Sequence, residues 1–149
     1  AAAQSFIKVA KNHPELRFEI KLHPMEHDDI YSSLIKQVGA PNVKINTEKD
    51  TFQLIAESGI IMTCFSTVGG ESLCFDKPLI TFDSKGRDIA GYINDNVAHW
   101  AKNEKELNQI ITAYKDNSLK KIDTNSYVER TFFKMDGNAC LRIKDAILQ

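Results

Sequence analysis

The chain has little cysteine and no excess of either charge. Its three cysteines, Cys64, Cys74 and Cys140, stand among apolar residues and form no CxxC spacing. We therefore expect three buried, reduced thiols rather than a disulfide framework or a zinc site. Lysine plus arginine number 19 and aspartate plus glutamate 20, with no run of like charges. This balance argues against a nucleic-acid binder, which usually carries a basic excess or stripe.

Long hydrophobic runs are absent as well, since no stretch approaches the roughly 18 apolar residues of a membrane-spanning helix. The 149 residues are 42% hydrophobic and 26% charged, a composition typical of a globular chain that buries a core. The sequence shows no internal repeat or linker, so we expect one domain over residues 1–149. The reduced thiols indicate a cytoplasmic location.

Strand and helix patterns alternate along the chain. Residues 17–22 alternate between polar and apolar side chains, whereas residues 60–65 are apolar throughout, as in a strand covered on both faces. Shorter strand patterns occur at 43–45 and 79–82, with helical patterns between and after the strands. Asp50-x-x-Gln53 and Asn103-x-x-Glu106 resemble capping boxes that open two of these helices, and two more helical patterns lie near 124–134 and 137–148. This order predicts an α/β fold, a Rossmann-like parallel sheet sandwiched by helices, with the 60–65 strand central and the first strand near it.

The beginning of the chain departs from that order. A doubly wound domain usually opens with the strand that becomes the middle of its sheet. Here the first predicted element is a helix with Phe6, Ile7 and Ala10 on one face. Three explanations are open: the first strand lies upstream in a longer protein, a partner segment supplies it, or the sheet closes without it. We favour the first.

The stretch TCFSTVGGES places polar residues where the long apolar strand ends. Ser66 or Thr67 can cap the next helix, whose free N–H groups and positive dipole end attract an anion such as phosphate. Gly69 and Gly70 leave room for a ligand or a strand, and Glu71 can accept hydrogen bonds from sugar hydroxyls. Phosphate beside a sugar describes a nucleotide. The plainer interpretation is an ordinary cap, two packing glycines and a solvated carboxylate.

A second polar motif, KLHPME, ends the first predicted strand. Pro24 fixes the backbone after His23 and would aim the imidazole across the carboxyl edge of the sheet, where ligands of parallel α/β domains collect. Lys21 lies just before it, and Lys85 and Arg87 lie in a polar loop after the last predicted strand. Each has a plainer explanation as a turn or a solvated side chain. Two polar motifs at one sheet edge nevertheless favour a shared binding site.

Most of the chain, from about residue 15 to the end, resembles the C-terminal nucleotide-binding half of GT-B-fold glycosyltransferases. The motifs that carry this resemblance are IKLHPME, TFQLIAESGIIMTCFSTVGGESLCFDKPLITFD and the closing FFKMDGNACLRIKDAIL. The nearest match is the bacterial capsule and surface-polysaccharide enzymes with HP and S-S/T motifs, including sialyl- and polysialyltransferases. CDP-glycerol glycerophosphotransferases and UDP-N-acetylglucosamine 2-epimerases share the same layout.

The resemblance implies a role for each motif. His23 with Pro24 would contact the nucleotide donor, and Ser66 with Thr67 would hold its phosphate. Glu71 would bind its ribose. The implied enzyme is an inverting, metal-independent transferase. It uses a CMP-, CDP- or UDP-linked sugar as substrate and needs no other cofactor.

The resemblance also implies what lies outside this chain. Residues 1–149 would be a fragment of a two-domain enzyme whose N-terminal acceptor-binding domain is the partner and supplies the catalytic base. No catalytic residue is therefore assigned in this chain. Peripheral association of the parent enzyme with a membrane is compatible with this assignment. Two alternatives stay open: a sugar-nucleotide 2-epimerase, and a non-catalytic nucleotide-binding or assembly module. A single Glu71 after Phe65-Ser66-Thr67 departs from the epimerase turn, which has Asp-Ser-Gly-Gly and paired acids.

Overall fold

The computed structural model describes residues 2–148, which form seven α-helices and five β-strands. The helices are α1 (Ala2–Lys11), α2 (Asp28–Val38), α3 (Thr51–Glu57), α4 (Val68–Leu73), α5 (Glu104–Lys115), α6 (Asn125–Phe132) and α7 (Ala139–Ile147). The strands are β1 (Phe18–Ile20), β2 (Val43–Ile45), β3 (Ile61–Thr63), β4 (Leu79–Phe82) and β5 (His99–Ala101). None of these helices has the length and apolar character needed to cross a bilayer.

The strands form two small parallel sheets flanked by helices. β1 pairs with β2, and β4 lies between β3 and β5 in a three-stranded sheet. This arrangement confirms the predicted Rossmann-like α/β fold. The predicted central place of residues 60–65 is wrong, because β3 ends its sheet and is only partly buried. All four residues of β4 are buried. An unbroken apolar run indicates apolar surroundings and does not fix the position of a strand in a sheet.

One hydrophobic core joins the two sheets beneath α1 and α5. Its buried members are Ile7, Val9, Ala10, Phe18, Ala40, Val43, Ile80, Phe82, Ala101, Leu107 and Ile111. A smaller core lies beside α4 and consists of Leu73, Leu79, Tyr92, Val97 and Ala98. Because the main core takes side chains from both sheets, burial of one apolar layer holds the sheets side by side.

The side chain of Asn42 fixes the direction of α1. Its Nδ2 donates to the carbonyl oxygens of Ala10, His13 and Leu16 at 2.8, 2.9 and 3.0 Å. The C-terminal end of α1 therefore lies at the start of β2, which begins one residue after Asn42. Ten residues of helix span about 15 Å. Lys8 forms an ion pair with Glu104 and Asn12 bonds to Asn108, so α1 runs in the same direction as α5, which begins after the carboxyl end of β5. α1 therefore runs against the strand direction and begins near the carboxyl ends of the strands.

Two helices begin at the caps that their sequences predict. The Asp50 carboxylate accepts a hydrogen bond of 2.8 Å from the Gln53 N–H at the start of α3, and Asn103 Oδ1 accepts one of 3.0 Å from the Glu106 N–H at the start of α5. At the other end of α2, Gly39 has φ of 72° and donates its N–H to Ile35. These side chains and this left-handed residue satisfy backbone groups that a helix end leaves free.

The C-terminal residues form the two predicted helices but bury no side chain. Neither α6 nor α7 contains a buried residue. The exposed large apolar residues here are Phe133, Met135, Leu141, Ile143, Ile147 and Leu148. The prediction of buried cysteines is accordingly wrong for Cys140, which is exposed on α7, while Cys64 and Cys74 are half-buried. All three thiols are free.

Candidate functional site

The loops that follow β1, β3 and β4 meet at one edge of the molecule. Cys64 follows β3, Asp83 follows β4, and Glu26 lies in the loop after β1. Burial raises the pKa of the Cys64 thiol, and the carboxylates of Asp83 and Glu26 raise this pKa further. The carboxylates that follow β1 and β4 therefore both act on the thiol that follows β3.

The turn after β1 is organised by the Glu26 carboxylate. One carboxylate oxygen accepts the backbone N–H of His23 at 2.8 Å, and the other accepts the Tyr31 hydroxyl at 2.5 Å. The hydrogen bond from Tyr31 and then that from His23 hold the Glu26 pKa below its ordinary value. The same bond to Glu26 raises the pKa of Tyr31 to about 12. Sequence reasoning missed Tyr31, whose role depends on a contact across the turn.

The hydrogen bonds of this turn also assign the tautomer of His23. The Met25 backbone N–H donates to His23 Nδ1 at 3.2 Å. Nδ1 is then unprotonated in the neutral ring, and Nε2 carries the hydrogen. The side chain is exposed, so its Nε2–H is a donor with a fixed ring orientation at the carboxyl edge.

The other basic residue of this motif is directed elsewhere. Lys21 Nζ donates to the carbonyl oxygen of Lys49 at 2.6 Å, in the loop between β2 and α3. Pro24 is exposed in the turn beside His23. The structure therefore exposes His23 and Pro24 in the turn after β1, whereas the Lys21 ammonium is bound to the loop after β2.

The turn between β3 and α4 exposes two hydroxyl groups. Ser66 Oγ accepts a hydrogen bond of 3.3 Å from the Val68 N–H, and the Ser66 N–H donates to Thr63 Oγ1 at 3.1 Å. Thr67 occupies the N-cap position with helical φ and ψ and makes no capping bond through its side chain. Ser66 thus satisfies the helix end, while the Thr67 hydroxyl faces solvent without a bond to the helix.

The glycine pair in this turn accommodates a tyrosine of the same chain. Gly69 and Gly70 are buried, and a Cβ at Gly69 would lie 2.7–2.9 Å from atoms of the Tyr92 ring. Tyr92 Oη accepts the Gly70 N–H at 2.8 Å and donates to the Ser66 carbonyl oxygen at 2.8 Å. The expectation that both glycines face a ligand is therefore not met, because Tyr92 fills the space beside them. Sequence reasoning missed this tyrosine, 22 residues away from Gly70.

Glu71 lies half-buried one turn into α4. Its charge adds to burial in raising the pKa of Cys74 and of Tyr92. Within residues 2–148 its carboxylate accepts no hydrogen bond, although its backbone N–H continues the helix to Thr67. The carboxylate is therefore available as an acceptor.

The loop after β4 is held by the buried side chain of Asp83. Its carboxylate accepts backbone N–H groups from Lys85 at 3.0 Å, Arg87 at 2.7 Å and Asp88 at 3.0 Å. These bonds, that of Lys85 foremost, hold the Asp83 pKa below its ordinary value. Trp100 Nε1 also donates to the Asp83 carbonyl oxygen at 2.9 Å. The exposed side chains of Lys85 and Arg87 consequently extend from a loop whose backbone is fixed.

Two clefts of the described chain are lined by none of the candidate residues. One lies between α4 and the C-terminal helices and includes Leu73 and Phe133, and the other lies between α1 and α2 and includes Lys8 and Gln37. No group of three or more His, Cys, Asp or Glu within residues 2–148 is placed to hold a metal ion. Among the candidate residues at the carboxyl edge, Glu71 is thus the carboxylate, beside hydroxyl, imidazole and cationic donors.

A scan against protein-family models, a comparison with curated proteins and a comparison with solved structures each found no match to this chain. The chemistry of the edge itself is therefore what bears on function. It offers hydroxyl, imidazole, ammonium and guanidinium donors, which suit phosphate and sugar oxygens.

Proposed function

We propose that the chain binds the nucleotide part of an activated sugar at the carboxyl edge of its strands. It would act as the donor-binding domain of a metal-independent, inverting glycosyltransferase of capsule or surface-polysaccharide synthesis. The substrate would be a CMP-, CDP- or UDP-linked sugar, and the three free thiols suit a reducing cytoplasm. Because the proposed acceptor-binding half would supply the catalytic base, we expect this chain by itself to bind donor without turnover.

The observation that carries the proposal is the oriented Nε2–H donor of His23 in the exposed turn after β1. His23 Nδ1 already accepts the Met25 N–H at 3.2 Å, which favours the neutral tautomer with the hydrogen on Nε2. Such a donor loses little freedom when it binds a phosphate or sugar oxygen. It favours an oxygen-rich ligand over an apolar one.

The neighbouring loops provide complementary groups for such a ligand. The exposed hydroxyls of Ser66 and Thr67 can donate to phosphate oxygens, and Lys85 and Arg87 can balance their charge. The carboxylate of Glu71 repels phosphate but accepts hydrogen bonds from ribose hydroxyls. The Asp83 carboxylate already orders the backbone of this loop. Ligand binding therefore loses little free energy to ordering that backbone.

The proposal is tested by titrating CMP, CDP, UDP and their sugar conjugates into the chain and its variants by calorimetry. Loss of a hydrogen bond to a charged group costs about 1.5–3 kcal/mol, or roughly ten- to a hundredfold in affinity. We expect that loss for His23→Ala and for Ser66→Ala combined with Thr67→Ala. Lys21→Ala is the matched control, because its ammonium is bound to the Lys49 carbonyl, and it should bind like the unmodified chain.

A second comparison separates recognition of the sugar from recognition of the phosphate. Glu71→Gln should weaken binding of a nucleotide that has both ribose hydroxyls and leave binding of its 2′,3′-dideoxy analogue unchanged. Equal losses of affinity for the two ligands would show that Glu71 does not bind the ribose hydroxyls. Nucleotide affinities that do not change in the His23 and Ser66–Thr67 variants would show that this edge is not the donor site.

A further inference from the structure

The strand β1 leaves one of its backbone edges without a partner strand. The Phe18 N–H donates to the Asn42 carbonyl at 2.9 Å. The Asn46 N–H donates to the Ile20 carbonyl, also at 2.9 Å. Successive residues of a parallel strand direct their N–H and C=O groups to opposite sides. Glu19, between two residues that bond toward β2, therefore directs its backbone groups away from β2.

The strand β3 leaves the equivalent edge open. Its Ile61 N–H donates to the Pro78 carbonyl at 3.0 Å, toward β4. By the same alternation, the N–H and C=O of Met62 point away from β4. Within residues 2–148 no ladder or other backbone hydrogen bond joins β1 to β3. Two unpaired edges are thus present where a Rossmann-like sheet is usually continuous.

The two open edges border the same core. Phe18 of β1 and Ile80 of β4 belong to the apolar cluster beneath α1, and Ile20, Met62 and Cys64 are partly buried against it. β1 and β3 therefore border one apolar layer without bonding to each other.

We propose that the space between β1 and β3 receives one extended apolar strand, parallel to both, which leads directly into α1. The sheet would then run continuously in the order β2, β1, inserted strand, β3, β4, β5, which is the doubly wound order. A strand with both neighbours and both faces covered is rich in Val, Ile and Leu. About five such residues match the length of ordinary strands.

The direction of α1 selects this occupant. Through Asn42, the C-terminal end of α1 is fixed at the start of β2. The pairs Lys8–Glu104 and Asn12–Asn108 align α1 with α5, so α1 begins near the carboxyl ends of the strands. A parallel strand in the space ends at that same place. A short turn then joins it to α1, and α1 returns the chain to the start of β1 as in a βαβ unit. This inference concerns the sheet and does not depend on nucleotide binding.

The test fuses a segment of about five Val, Ile and Thr residues and a two-residue turn ahead of Ala1. Amide hydrogen exchange is measured by NMR at Glu19 and Met62, whose N–H groups point into the space. We expect exchange there to slow by about tenfold or more in the fusion, the factor that corresponds to one net hydrogen bond. Phe18 and Ile61 are the matched controls, because their N–H groups already bond to β2 and β4.

A control fusion carries proline at the centre of the added segment, which removes a ladder donor, and should not slow exchange at Glu19 or Met62. A third fusion with a flexible Gly/Ser linker of about ten residues provides the same test if the short joint prevents folding. Equal exchange in the strand and proline fusions would overturn the proposal. Protection of Glu19 and Met62 by the free peptide alone, or by self-association of the unfused chain at high concentration, would overturn the assignment of the occupant.

Discussion

The α/β body, residues 2–116, and the terminal segment, residues 118–148, have similar helical patterns and different surroundings. In the body, α5 buries Leu107 and Ile111 in the main core. In the terminal segment, α7 carries an apolar stripe of the same spacing, and Ile143 and Ile147 on it are exposed. An amphipathic pattern therefore specifies that a helix forms, while burial depends on a surface that the pattern does not describe.

The helix α6 stands between these two cases. Tyr127 and Val128 on α6 are half-buried and pack against the smaller core beside α4. The ring of Tyr127 meets that of Tyr92 edge-on, with centroids 6.3 Å apart. One side of α6 is thus attached to the turn that carries the candidate site, whereas α7 has no such attachment among the described residues.

The largest expected effect is the loss of stability when a core side chain of the body is truncated. The same truncation in the terminal segment should have little effect. Leu107 is fully buried, with 0% exposure, and Ile143 is 60% exposed. Leu107→Ala should lower the free energy of unfolding by about 2–5 kcal/mol, and Ile143→Ala should change it by less than about 0.5 kcal/mol. Chemical denaturation of both variants measures this difference. A large loss for Ile143→Ala would show that α7 packs on the body.

A smaller effect should come from the hydroxyl that ties the site turn to the body. Tyr92→Phe leaves the ring and removes the bridge between the Gly70 N–H and the Ser66 carbonyl, both at 2.8 Å. Leaving a buried donor and acceptor unpaired typically costs about 1–3 kcal/mol. Tyr127→Phe is the matched control on the terminal segment, because its hydroxyl makes no hydrogen bond within residues 2–148. Equal free energies of unfolding for the two variants would show that the Tyr92 hydroxyl bridge does not stabilise the fold.

The pH dependence should also differ between the two regions. Hydrogen bonds lower the pKa of Asp83 in the body, and the Arg142 guanidinium lowers that of Asp136 in the terminal segment. Each group binds protons more readily when unfolded, where its pKa is about 3.9. Its stabilising contribution is therefore present above that pH and lost as pH falls through the lower folded-state pKa.

We expect only Asp83 to show this dependence in global unfolding. The stability difference between the unmodified chain and Asp83→Asn should shrink as pH falls from 5 toward 3 in denaturation experiments. Asp136→Asn should leave global stability unchanged at each pH, since its partner Arg142 lies on the unattached α7. A constant difference for Asp83→Asn across this range would contradict the role of its ionised form.

The smallest expected effect concerns thiol reactivity and does not involve stability. Cys140 on α7 is exposed, while burial raises the pKa values of Cys64 and Cys74. A maleimide or aromatic disulfide reagent near neutral pH should therefore label Cys140 first, because the thiolate is the reactive form and access is open. Mass spectrometry after short reaction times gives the order. Earlier labelling of Cys64 would contradict the described packing of β3.

Sequence periodicity predicted where helices and strands form better than it predicted which strands lie next to each other. The strands at 43–45 and 79–82 and the caps of α3 and α5 depend on local chemistry, and they lie where the sequence placed them. The order of strands is set by long-range pairing, which is why β3 occupies an end of its sheet rather than the middle.

The candidate site was predictable only in its exposed parts. The prediction that His23 and Ser66 share one edge depends only on their positions after two strands, β1 and β3. Tyr92, 26 residues from Ser66, and the buried carboxylate of Asp83 could not be identified, since their partners are backbone groups with no sequence signature. The glycine pair was assigned to a ligand for the same reason: the tyrosine that fills its space is distant in sequence.

The amide of Asn42 has a consequence for the chemical ageing of this protein. Its Nδ2 has two hydrogens and donates to three carbonyl oxygens, so at least one hydrogen is shared. Deamidation would replace this nitrogen with a carboxylate oxygen and set a negative charge against all three carbonyls. A molecule damaged at this position while unfolded would then lack the joint between α1 and β2, and it would be selectively removed from the population that refolds.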